Sequence, residues 1–441
     1  MNNMRILTWK EVLDQTKGKV LLINPPVIDT RYPWIKWNQP LDLLKLGTLL
    51  RENRGCQVKL FDFLLPNSKG NVPRRHSKIE ENLDPRELTR WQFGVPWEKF
   101  DEYLDLLNND KWIPDFVWIT TLTSFWWQTI PLVADRVKNK LNRPLVVLYG
   151  NYAVLETDHA ARTCFNIDII VKEYINLSPW KTDFTLYGDQ NIRFCALDMR
   201  SADPVSEIAY SVNRGITHFV FFNENLFSNF DNCLRPILTE IAKKDWDIRI
   251  HGICGVQIED FPIEQAELLI DSHIDELHFD PYYKDNGGLD EFSFIEVMNA
   301  CERVGYVSKR GSGWESTNRY SLSAFLWIGR RYENLEELVW NMLKLHQLVG
   351  MVIPKPFSPL PGSKDYKILM DKLGNVEPED ISPHRLPLSV INGISRNEYK
   401  DLYRLSALLN YKVRSRTFDF LGNSFLAREI RESIKLRRWD I

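Results

Sequence analysis

One stretch limits what this chain can fold into: Lys19-Val-Leu-Leu-Ile-Asn-Pro-Pro26. Val20 to Ile23 offers no polar side chain to solvent on either side. That is the pattern of a strand buried on both faces of a parallel sheet. Two prolines then remove the ladder donors and stop the strand at Asn24. The carboxyl end of a central parallel strand is where doubly wound sheets bind ligands. Asn24 and Pro25 are therefore candidate binding residues from the start.

The next elements extend the same unit. Leu41 to Leu50 places apolar residues at helical spacing, with a stop at Arg54-Gly55, and Val58-Lys-Leu-Phe-Asp62 reads as a second strand. Strand, helix and strand at this length make a right-handed βαβ unit. Met1 to Lys17 reads as a helix or an edge element ahead of it. Residues 66–111 form an insertion, with basic and turn-forming residues first and an amphipathic helix over Glu98–Leu107; it reads as a lid or a surface excursion. Asp115–Thr120 and Leu145–Gly150 are the third and fourth strands, and Ile167–Lys172 is expected to close the sheet. Thr121, Thr123, Ser124, Gly150, Asn151 and Tyr152 then join Asn24 and Pro25 on one rim. Such a rim of hydroxyls, amides and a glycine suits a phosphate-bearing or amide-rich ligand. The absence of GxGxxG argues against a dinucleotide.

At 441 residues the chain needs roughly two or three domains. A second α/β alternation begins near residue 181. Strands are expected at Phe184–Tyr187, His218–Phe222, Asp247–His251, Glu276–Asp280, Ser323–Ile328 and Met351–Ile353, with helices between them and Gly215, Gly305 and Gly350 at helix ends. Such an order predicts a partial or full β/α barrel, TIM-type, over 181–376, with a helical extension over 377–441. Glu224, His251, His278 and Asp280 are expected at carboxyl ends of barrel strands, a possible polar or metal pocket. His218, inside an apolar strand, reads instead as a hydrogen-bonded core residue. The net charge of -3 gives no general attraction to nucleic acid or anionic membrane, and a solvated face is the expected role of the basic tail residues Arg428, Arg431, Lys435, Arg437 and Arg438. No apolar run reaches the roughly 18–20 residues of a membrane span, and no signal-type segment opens the chain, so a cytoplasmic location is expected.

Several of these stretches resemble the cobalamin-binding radical S-adenosylmethionine (SAM) proteins. Leu21-Leu-Ile-Asn-Pro-Pro26, Leu43–Leu50 and Val58–Asp62 are similar to the opening of that family, and Pro114–Thr120 and Pro144–Gly150 fit its third and fourth strands. Met199–Ile208, Gly215–Asn225 and Phe357–Ser363 are similar to its barrel, so the resemblance runs from residue 18 to 366. It implies a Rossmann-like, flavodoxin-like cobalamin domain over 1–180 and a radical-SAM-like barrel over 181–376. It also implies that the rim residues surround the nucleotide tail of a corrinoid. Trp126 and Trp127 would then lie against a corrin face or a partner chain, or be buried beneath the insertion.

The departure from the family is equally specific. Radical SAM chemistry needs three thiolates in CxxxCxxC to hold a [4Fe–4S] cluster. The six cysteines, at 56, 164, 195, 233, 254 and 301, form no CxxC or CxxxCxxC and read as buried thiols. If Cys195 stands at the third position, Gly188 and Ile192 occupy the first two, and neither side chain can ligate iron. The family's glycine-rich strand end is replaced by Trp327-Ile-Gly-Arg-Arg331. The DxHxxG motif is missing too, with Asn24-Pro-Pro-Val-Ile-Asp29 in its place. The resemblance therefore implies a degenerate member: cobalamin bound, no [4Fe–4S] cluster, no metal site, and no reductive cleavage of SAM. Its expected role is an accessory or regulatory subunit beside a catalytically intact radical SAM relative or another protein. Rival expectations are a cobalamin enzyme of polar methyl transfer and a cofactor-free scaffold.

Overall fold

A computed structural model describes residues 4–29, 39–66, 72–76, 90–188, 192, 194–223, 225–281, 289–306, 320–374 and 376–415. Nine strands belong to the first half: β1 (Arg5–Leu7), β2 (Lys19–Asn24), β3 (Val27–Asp29), β4 (Gln57–Asp62), β5 (Arg74–His76), β6 (Trp91–Phe93), β7 (Phe116–Thr120), β8 (Leu145–Tyr149) and β9 (Ile169–Val171). Six of them form a parallel sheet in the order β1-β9-β8-β7-β2-β4. As the apolar run at Val20 predicts, β2 lies inside this sheet with both faces covered. Leu21 and Ile23 pack with Phe100, Leu104, Val133 and Val137 on one side. Val20 and Leu22 pack with Leu43, Leu46 and Trp118 on the other.

Two expectations for this half need correcting. Residues ahead of β2 supply both an edge strand and a helix, Trp9–Gln15, so β1 and not the Ile167–Lys172 strand is the sheet edge. The inserted region is also less of an excursion than its composition implied. Its described part adds β6, which pairs antiparallel with β3, and β5, which pairs antiparallel with β6. Its helix, Trp97–Asn109, buries Phe100, Leu104 and Leu107 against the main sheet and so serves as a crossover helix.

The second half carries β10 (Phe194–Leu197), β11 (His218–Phe221), β12 (Arg249–Gln257), β13 (Ile274–Asp280), β14 (Ser321–Ile328) and β15 (Val352–Pro356). They pair in parallel and in chain order. The expected strand at Phe184–Tyr187 is a 3-10 turn, because Asp183 accepts from the Thr185 amide and Gly188 follows at φ 57. The first strand is therefore β10, and Cys195 is its second residue, fully buried, with Sγ donating to Ser211 Oγ at 3.3 Å.

Among the described residues β10 and β15 do not pair with each other, and each outer edge is capped by an amide side chain. Gln39 Nε2 donates to Phe194 O at 3.1 Å while its Oε1 accepts from Ala196 N at 2.6 Å. Asn410 repeats the arrangement on β15, with Nδ2 donating to Val352 O at 2.9 Å and Oδ1 accepting from Val352 N at 3.0 Å. Capped edges cannot recruit another strand. The sheet is thus a six-stranded parallel array, open between its first and last strands.

The halves are joined through helix Leu41–Arg54. Lys45, buried, reaches Asp198 at 2.8 Å, and Arg51 pairs with Asp183. The last described helix, Arg396–Ser415, docks on β15 and, through Tyr399, on Glu333. Burial raises the Glu333 carboxyl from 4.5 to about 7, against hydrogen bonds from Gly329 N and Tyr399. The folded chain then holds this proton at pH values where the unfolded chain has lost it, so stability should fall as pH rises from 4.5 to about 7. Glu333→Gln keeps the acceptor and is expected to flatten that slope. Urea midpoints measured at pH 5 and pH 8 check this; an unchanged slope would refute it.

Candidate functional site

The first candidate region is the carboxyl rim of the N-terminal sheet. Neighbouring strands β8, β7 and β2 bring Gly150, Thr121 and Asn24 to one edge, as the sequence implied. The rim residues then divide into two groups. Asn24, Thr121, Ser124 and Tyr152 are buried and committed to the frame. Asn24 Nδ2 donates to Asp62 Oδ1 at 2.7 Å, and burial lifts the Asp62 carboxyl to about 6. The Tyr152 hydroxyl sits 2.7 Å from His159 Nδ1 and 3.1 Å from Thr163 Oγ1, pointing into the core rather than outward. Pro25 is buried in the turn after β2.

Thr123, Gly150 and Asn151 keep partial exposure. Gly150 sits at φ 88, and an added Cβ would lie 2.3 Å from Thr120 Oγ1, so only glycine fits this strand end. Thr123 Oγ1 is buried with no hydrogen-bond partner, an orphaned hydroxyl at the rim.

The segment after residue 375 closes the rim on its other side. Glu379 Oε2 accepts from Trp127 Nε1 at 2.7 Å, Glu377 Oε2 meets His159 Nε2 at 3.0 Å, and Ser382 Oγ bonds Asp29 at 3.1 Å. Trp126 donates to Asp29 from below and packs with Val72 and Phe93 of the inserted region. Trp126 is thus built into the chain's own interior, while Trp127 stays half-buried against Glu379. The aromatic loop at 31–37, Glu224 and the basic tail beyond residue 415 lie outside the described residues.

The second region lies on the face of the C-terminal sheet opposite its helices. Along β14, Leu322, Ala324, Leu326 and Ile328 enter the core under the helices, so Ser323, Phe325 and Trp327 alternate onto the other face. His218 Nδ1 is 3.0 Å from His251 Nε2, His251 Nδ1 is 3.1 Å from Glu276 Oε2, and His278 Nε2 is 2.7 Å from Glu276 Oε1. The structure therefore joins His251 and His278 through Glu276, which the sequence reading did not select. Its signal was available: Glu276, His278 and Asp280 alternate and so share one face of a strand. His251 does not lie at a carboxyl end. Gly252 lets β12 continue past it, approaching Leu226 and Leu277 where a Cβ would come within 3.0 Å of each. His218 is hydrogen-bonded within its strand, as expected.

The proton count in this row is fixed by its geometry. Burial alone would raise the Glu276 carboxyl, but His278 and His251 outweigh it and hold it far below the usual carboxylate range. An ionised Glu276 only accepts, so His251 donates from Nδ1 and His278 from Nε2. Protons on both sides point at Glu276, so the row is a hub and not a wire across the sheet. Among the described residues no group of three or more His, Cys, Asp or Glu side chains stands in metal-binding geometry.

No family model matches this chain, and no curated protein does. The fold nevertheless has a solved counterpart in the class of radical SAM methyltransferases. That counterpart is TsrM from Kitasatospora setae, with tryptophan substrate and a SAM analog bound: TM-score 0.51 and 11% identity, covering 80% of this chain and 76% of that one. A second TsrM structure, with cobalamin and a [4Fe–4S] cluster, aligns over the same shares at a TM-score of 0.48. At this identity the likeness is one of fold alone.

Proposed function

We propose that this chain is a cobalamin-binding relative of the radical SAM enzymes that works without their iron–sulfur cluster, as an accessory or regulatory subunit of a cobalamin-dependent system. The observation that carries the first part is the rim. A strand end that admits only glycine stands beside an orphaned buried hydroxyl on Thr123. This fits a bulky, amide-bearing ligand that approaches the backbone closely and satisfies that hydroxyl. Thr123, Gly150 and Asn151 would meet the cofactor, while Asn24, Pro25, Thr121, Ser124 and Tyr152 hold the strand ends in register behind them. Bound cobalamin would supply a cobalt centre able to carry a methyl group.

The second part follows from where β10 ends. The loop after the first strand of the second sheet is Asp198-Met-Arg-Ser-Ala-Asp203, which has no cysteine, and Cys195 is sealed within the strand before it. Burial pushes the Cys195 thiol up to about 12, as befits a side chain packed into a core. The place of Cys195 inside β10, ahead of that loop, supports a chain without the cluster ligands.

Expression with hydroxocobalamin, followed by visible spectra and iron and sulfide assays, tests both parts. Corrin absorption without iron is expected, and Thr123→Val should weaken uptake by about tenfold through loss of one buried hydrogen bond. Colourless protein would remove the cofactor assignment. A full [4Fe–4S] complement would overturn the second part.

A further inference from the structure

The face of the second sheet opposite its helices holds a small aromatic box with a cation already inside it. Lys355 Nζ lies 4.3 Å from the Phe325 ring centroid and 4.5 Å from that of Trp327. Its ammonium also donates to the Cys254 carbonyl at 3.3 Å. Asp280 closes the box: Trp327 Nε1 donates to its Oδ1 at 2.6 Å, and the Lys355 charge acts on its carboxyl. Deeper on the same face is Ser323, fully buried, whose Oγ has no hydrogen-bond partner. In register with it is His278, anchored to Glu276.

Each part favours the same kind of occupant. Two ring faces attract a positive charge, and most strongly where it is shed of water. A carboxylate at the rim adds Coulomb attraction. An orphaned hydroxyl on the floor asks for a hydrogen-bonding group on the ligand. A lysine reaching in from the last strand meets the first two demands but not the third, because its ammonium is spent at the rings and the Cys254 carbonyl. Its flexible four-carbon stem can also withdraw, which a backbone group could not do.

We propose that Phe325, Trp327, Asp280 and Ser323 form a binding site for a small organic cation, a protonated or methylated amine bearing a hydroxyl, and that Lys355 occupies it as an internal stand-in. The site is separate from the rim of the N-terminal sheet and does not depend on cobalamin.

Choline and its neutral isostere 3,3-dimethylbutan-1-ol are the probes, titrated calorimetrically into the full chain. Lys355→Met vacates the box while keeping its length and apolar stem. It should bind choline about tenfold more tightly than wild type does and about tenfold more tightly than it binds the isostere. Adding Trp327→Leu should abolish that preference. Equal affinity for choline and the isostere would reduce the box to an apolar crevice and overturn the proposal. So would equal choline affinity in wild type and Lys355→Met, or no choline binding by a variant with wild-type circular dichroism. If Lys355→Met does not fold, Lys355→Gln is held to the same outcomes.

Discussion

Replacing Lys45 with methionine is expected to cost the protein about 3–5 kcal/mol, the usual penalty for breaking a buried ion pair from one side. The Lys45 side chain is only 2% exposed, and its partner Asp198 is 13% exposed. Burial alone would raise the Asp198 carboxyl, but the hydrogen bond and charge of Lys45, with help from Arg200, hold it at about 2. Without Lys45 that charge is left under the helix with the largely exposed Arg200 and a long contact from the Asn223 amide. The pH dependence has a definite sign. A carboxyl depressed below its ordinary 3.8 stabilises the fold above that value and loses its effect as pH falls toward 2. Urea unfolding of Lys45→Met, and of Lys45→Met with Asp198→Leu, separates charge from packing. The double variant should recover most of the loss. A single variant within about 1 kcal/mol of wild type would mean the pair behaves like a surface bridge.

Glu276→Ala is expected to be comparably severe, again about 3–5 kcal/mol. Both carboxylate oxygens accept from imidazoles, one of them on the buried His251. Removal leaves two donors with nowhere to turn and a void between β12 and β14. Glu276→Gln keeps the volume and one acceptor. It can still satisfy one histidine but presents its NH2 group to the other, so an intermediate loss is expected. Equal losses for Ala and Gln would show that charge, and not hydrogen-bond capacity, sets the value of the hub. A negligible loss for both would show that solvent replaces the carboxylate. Histidine tautomers read by 15N-resolved NMR provide the independent check: His278 should carry its proton on Nε2 in wild type.

Much of this architecture is legible in the residues because burial on both faces leaves a mark that local sequence cannot hide. Val20–Ile23, Val117–Ile119 and Val146–Leu148 are apolar without alternation, and each is a central strand. Helix Leu41–Arg54 ends at Gly55, with φ 62, where the sequence placed its stop. The failures share a cause, which is tertiary bonding that overrides local preference. Phe184-Thr-Leu-Tyr187 has strand-forming residues, yet Asp183 and Gly188 fold it into a turn, and that shift moved the supposed cluster loop by a whole strand. The 377–394 segment shows no period because it is a series of short turns held by Asp29, Trp127 and His159, more than 200 residues earlier in the chain. In the candidate sites, the rim was found because strand ends are predictable. The Glu276 hub was missed because a carboxylate inside a strand looks like a solvated one until its partners are known.

The amides of Gln39 and Asn410 impose an order on synthesis. As the nascent chain leaves the ribosome, the first edge of the second sheet meets a cap that has already been made. The last edge must wait for a residue more than fifty positions further on. Through that interval the outer side of β15 offers a single N–H, that of Val352, because its other outward positions, Pro354 and Pro356, have none. Asn410, on the last described helix, closes that one position, and a truncation ahead of it leaves Val352 open to a neighbouring chain.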